Sequence, residues 1–145
     1  MSLLGIYNCR SSYHIPHCRV PETPLRIAAM HDDKICVHHF LKTDEAAGLN
    51  DSGRSALMSA AHYGHVDLVA ELLPLIDPNL QDITGRTALM SAAQEGHFNV
   101  VRVFLAYRLT NLNLQNYDGR TALMIADKAG YTEIVKLLKK NGATE

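Results

Sequence analysis

Two kinds of apolar block alternate along the chain, and both keep the spacing of a helix face. The first is short and rich in alanine and leucine: ALMSAA at residues 56–61, the same six letters at 88–93, and ALMIA at 122–126. The second follows a glycine and places its apolar residues at Val66, Leu68, Val69, Leu72 and Leu73, then at Phe98, Val100, Val101, Phe104 and Leu105. Polar segments separate the pairs of blocks. NLQDITGR and NLQNYDGR, rich in Asn, Asp and Gly, predict tight turns. The pattern is that of helix pairs joined by turns, an all-α architecture.

The pairs are copies of one unit. GRSALMSAAHYGHVDLVAELL from Gly53, GRTALMSAAQEGHFNVVRVFL from Gly85 and GRTALMIADKAGYTEIVKLLKKNGA from Gly119 align without a gap up to the second apolar run, and TPLRIAAMHDDKICVHHFL from Thr23 is a weaker copy. The hydroxyl residues Thr23, Ser55, Thr87 and Thr121 fall 32, 32 and 34 residues apart. A fixed period in this range signals a stacked repeat array. Each hydroxyl predicts an N-cap, accepting from an amide of the first helical turn. Pro24 sits at the first helical position, where a missing N–H is harmless. The paired alanines (Ala28 and Ala29, Ala60 and Ala61, Ala92 and Ala93) let a neighbouring helix approach closely, and Gly64, Gly96 and Gly130 predict helix ends at positive φ.

This unit resembles the ankyrin repeat, whose signature runs D-x-x-G-x-T-P-L-H-x-A-A-x-x-G-H followed by a second apolar helix and G-A. The likeness covers about residues 21–145, divided at about 21–52, 53–84, 85–118 and 119–145, with residues 1–20 as an N-terminal non-repeat segment. It implies a solenoid of stacked helix-turn-helix units joined by hairpin-like turns. The family's TPLH stands here as TPLR, SALM, TALM and TALM. Met58, Met90 and Met124 therefore replace a histidine that hydrogen-bonds between repeats, and are expected as soft apolar packing. Charged residues mark both ends of the array. Asp127 with Lys128, Lys136, Lys139 and Lys140 would solvate the last copy, and Asp32 replaces the helix-ending glycine of the first, so a complete small solenoid is expected.

Composition narrows the function. Lys+Arg number 14 against 15 Asp+Glu, a net charge of -1, and residues 53–145 carry nine basic and nine acidic residues, so no basic field points to nucleic acid. At 47% hydrophobic the chain is too apolar for a disordered one, yet no run approaches the 18 apolar residues of a membrane span. The opening MSLLGIYNCR lacks the features of a secretory signal. A cytoplasmic monomer is expected, with the nucleus also open to it. Cys9, Cys18 and Cys36 are too few and too crowded for a disulfide framework. There is no phosphate loop, no G-x-S-x-G elbow and no HExxH, and the acids are scattered over turns. No enzyme and no cofactor is expected.

What remains is a protein-binding module, an adaptor or stoichiometric inhibitor. The resemblance places its contact positions on the turns (Asp51 and Ser52, Ile83 and Thr84, Tyr117 and Asp118) and at the ends of the first helices. The latter are Met30 and His31, His62 and Tyr63, Gln94 and Glu95, Lys128 and Ala129. Tyr63, Ile83 and Tyr117 are the better anchors, being aromatic or apolar where exposure is expected. Arg54, Arg86 and Arg120 share one register just after the turn glycine. In the implied fold they form a ladder beside the concave face, suited to an acidic or phosphorylated partner. Alternatively, each arginine pairs with a turn acid (Asp51, Asp82, Asp118) and only stiffens the array. A second functional reading gives the N-terminal Cys9, His14, His17 and Cys18 to a metal- or redox-responsive regulator. The adjacency of His17 and Cys18 is awkward for a compact tetrahedral site, and no metal site is assigned.

Overall fold

The first helix of each pair begins where the sequence places a hydroxyl. In the computed structural model, which describes residues 23–42, 49–50 and 52–145, the side chains of Thr23, Ser55, Thr87 and Thr121 each accept from the amide three residues on, at 3.2–3.3 Å. A cap of this kind contributes about 1 kcal/mol. Eight helices follow among the described residues: α1 Pro24–Met30, α2 Lys34–Leu41, α3 Ala56–Tyr63, α4 Val66–Leu72, α5 Ala88–Glu95, α6 Phe98–Ala106, α7 Ala122–Ala129 and α8 Thr132–Lys140. The first helix of each later pair stops on Gly64, Gly96 or Gly130, all left-handed. In the first pair Asp32 takes that conformation, at φ +54°, which aspartate tolerates better than most side chains.

The pairs stack into two layers. Helices α1, α3, α5 and α7 pack side by side in chain order, while α4, α6 and α8 form a second row behind them. Ala28, Ala29, Ala60, Ala61, Ala92 and Ala93 are completely buried in the first row, where their small side chains let neighbouring helices pack closely. Met58 and Met90 are buried among them and Met124 is half-buried, as their register requires. One hydrophobic core runs through all four repeats, from Leu25 to Ala143.

The second helices bury Leu68, Val69, Leu72, Val100, Val101 and Phe104 on the face the spacing predicts. Phe98 is the exception. It is the first residue of α6 and remains 38% exposed, lining a recess beside Gly130 and Tyr131. Asp127 is exposed at the register where Ala93 is buried; among the described residues no further helix packs against that side of α7. Cys36 is buried in α2 and disulfide-bonded. Cys9 and Cys18 lie outside the described residues.

Repeats are also tied through backbone polar groups. The Nε2–H of His65 donates to the Met30 carbonyl at 2.8 Å, and that of His97 to the His62 carbonyl at 2.7 Å, each reaching back one repeat. The turns are linked as well, Ile83 N–H to the Ser52 carbonyl and Tyr117 N–H to the Thr84 carbonyl, both at 3.0 Å. The second contact depends on Gly85. A Cβ there would stand 2.7 Å from the Tyr117 amide nitrogen and 3.0 Å from Asn116 Cα. Gly119 has nearly the same backbone, φ +74° against +77°, but nothing within 4 Å of its would-be Cβ. Gly119→Ala should therefore lose about 1–2 kcal/mol, the left-handed penalty alone. Gly85→Ala should lose that and about 1–3 kcal/mol more from overpacking. Urea unfolding of the two variants checks this, and equal losses would show that the turns are not in close contact.

Candidate protein-binding groove

All three turns are built on one device. The Oδ1 of Asn50 accepts from the amides of Ser52 and Arg54 at 3.0 and 2.9 Å. The Oδ1 of Asp82 does the same for Thr84 and Arg86 at 2.8 and 3.0 Å, and that of Asn116 for Asp118 and Arg120 at 3.0 and 2.9 Å. An Asn or Asp side chain folding over its own following backbone is a local, strong turn former. Joined by the cross-turn bonds, the turns form a braced edge. Ile83 and Tyr117 project from it with 63% and 74% of their surface exposed.

The arginine ladder is uneven, and the turn residues explain why. The Arg54 Nε lies 3.5 Å from Oδ2 of Asp82 in the next turn. Burial by itself would raise the Asp82 carboxyl. Hydrogen bonds from the Thr84 hydroxyl, the Arg86 and Thr84 amides and Arg54 outweigh it and hold the group below its ordinary value. One repeat on, Asn116 occupies the register of Asp82 and offers no charge. Arg86 and Arg120 accordingly enter no ion pair among the described residues. Of the turn acids considered as arginine partners, Asp82 alone is engaged. Asp118 lies two positions later in its turn, and Asp51 is outside the described residues.

The predicted contact residues divide into three groups. Arg86, Arg120 and Gln94 line a groove of about 490 Å³ with Thr84, Asn116, Asp118, Ile125, Lys128 and Ala129. Arg54, His62 and Tyr63 line a recess of about 50 Å³ between the first repeats, with Arg26 and Ser59. Glu95 lines neither cavity but stands 3.6 Å from the His62 Nδ1. Ile83 and Tyr117 do not line the groove, but each adjoins in sequence a residue that does, Thr84 and Asp118. Sequence reasoning missed Arg26, Asn116 and Ile125 as lining residues. Aligning Asn50, Asp82 and Asn116 as one register would have singled out Asn116. Among the described residues no group of His, Cys, Asp and Glu could hold a metal, and Cys9, His14, His17 and Cys18 lie outside them.

The family model for ankyrin repeats in three copies matches residues 3–82 and 74–144. The chain belongs to the ankyrin repeat family. Ankyrin repeats are generally protein–protein interaction modules. A comparison with curated proteins finds no match. No helix among the described residues is long and apolar enough to cross a membrane.

Against the ankyrin signature, the first repeat carries arginine where the motif has histidine. Arg26 is only 6% exposed and its Nε donates to the Ser59 hydroxyl at 2.8 Å, so it ties the first repeat to the second. Burial, with Arg54 nearby, lowers its pKa, and the guanidinium stays charged throughout the working pH range.

Asp82 offers a test of the turn and of the ion pair together. Asp82→Asn keeps the acceptor that Asn50 and Asn116 use and should cost less than about 1 kcal/mol, since Arg54 is half-exposed. Asp82→Ala should cost about 1–3 kcal/mol by leaving amides without partners. The folded-state pKa of Asp82 is depressed, so its charge stabilises the fold above the unfolded value of about 3.9. The advantage of wild type over Asp82→Asn should be full at neutral pH and shrink as pH falls below about 4. An advantage that grows in acid would contradict the assignment.

Proposed function

We propose that this ankyrin chain is a non-enzymatic adaptor or stoichiometric inhibitor that binds a protein partner across its turns and first helices. The observation that carries the reading is the pairing of exposed apolar anchors with a rigid base. Ile83 and Tyr117 stand in solvent, while the amide of each is hydrogen-bonded to the preceding turn. A surface ordered before binding loses little conformational freedom on docking, and exposed aromatic anchors are the usual carriers of interface energy.

Surface and core vary differently along the array, which supports the same reading. At the ends of the first helices His62–Tyr63 becomes Gln94–Glu95 and then Lys128–Ala129, whereas Ala60–Ala61 beneath them recurs as Ala92–Ala93. The stack fixes the buried positions and leaves the face free to suit one partner. A module of this kind acts by recruiting or by covering, so its effect follows stoichiometry and not turnover.

The test compares two faces. Ile83→Ser/Tyr117→Ser should weaken capture of specific partners from source-cell lysate by at least about tenfold, the loss of one or two anchors. Arg102→Glu, on the exposed side of α6, should leave capture intact. Partners lost with Arg102→Glu and kept by the double variant would place binding on the second helices.

A further inference from the structure

We propose that the groove between the last two turns receives a phosphorylated serine or threonine side chain of the protein partner. The inference rests on the interaction-module reading above and adds the chemistry of what is recognised. Three cations line the groove, Arg86, Arg120 and Lys128, against a single carboxylate, Asp118. The local excess of two positive charges matches a phosphate monoester, which carries about −1.5 to −2 near neutral pH. A carboxylate side chain would neutralise only half of it.

The donor set fits as well. Two guanidiniums present forked N–H pairs suited to oxyanions. The Asn116 Oδ1 is committed to its turn, so its amide NH₂ is the end left to donate outward. Ile125 and Ala129 supply an apolar wall for the stem of the bound side chain. The volume, about 490 Å³, lies within the range of built ligand sites, roughly 300–1,000 Å³.

A single register difference locates this site. Where the turn begins with Asp82, the preceding arginine is held by an internal carboxylate at 3.5 Å. Where it begins with Asn116, the preceding Arg86 is left to an external anion. Positive charge is thus quenched in the middle of the array and available toward its end, although all three arginines share one sequence motif.

The experiment is an NMR titration of the intact ¹⁵N-labelled chain with N-acetyl-O-phosphoserine amide, with N-acetyl-aspartate amide as the carboxylate comparison. The proposal expects saturable shifts clustered at the amides of Thr84, Asn116, Asp118, Arg120 and Lys128, and affinity at least about tenfold weaker for the aspartate probe. Arg86→Gln/Arg120→Gln should abolish the response. Asn116→Asp, which keeps the turn as Asp82 does, should weaken it by giving Arg86 an internal partner. Equal response to both probes would reassign the groove to carboxylates. Absent or scattered shifts, or a response untouched by both variants, would overturn the site. Partner capture that survives Arg86→Gln/Arg120→Gln would end this inference while leaving the binding-module reading in place.

Discussion

No helix pair in this chain can bury its apolar face by itself, and the structure depends on how closely one pair can approach the next. That approach is set by alanine. Ala28, Ala29, Ala60, Ala61, Ala92 and Ala93 are completely buried along the first row of helices. Small side chains at these positions let neighbouring first helices pack closely. Caps, stops and turns make each unit possible. The alanine contact makes the units into a solenoid, in the quasi-one-dimensional way that repeat proteins share.

From that spacing the rest follows. Close stacking brings each His65-type ring within reach of the carbonyl one repeat back, and brings each turn against the one before it. The turns then form a continuous edge whose polar backbone is largely spoken for. Side chains at its tips are free of structural duty, and this is where Ile83, Tyr117, Arg86 and Arg120 stand. Rigidity of the edge and freedom of its side chains have one origin.

Much of this is legible in the sequence because it is local and repeated. Thr87 capping α5, Gly96 ending it and Ala92–Ala93 lining the stack each follow from residue type and period. What is not legible depends on register between units. Arg54 and Arg86 look identical in sequence, and only the position of Asp82 against Asn116 across the gap separates their environments. Phe98 has core spacing, yet as the first residue of α6 it precedes the point where that face turns inward. Arg26 shares the buried register of Met58, and its bond to Ser59 needs the second repeat to be seen. The division of the contact residues between a groove and a recess could not be read from one repeat, because each cavity is lined by more than one.

The most direct measurement of the central claim is equilibrium unfolding of Ala93→Leu. The added bulk at a completely buried stacking position should destabilise the array by about 1–3 kcal/mol through overpacking. It should do so even though leucine is a good helix former. Unchanged or increased stability would mean that the first helices are not held at alanine distance, and the account of the edge built on them would fail with it.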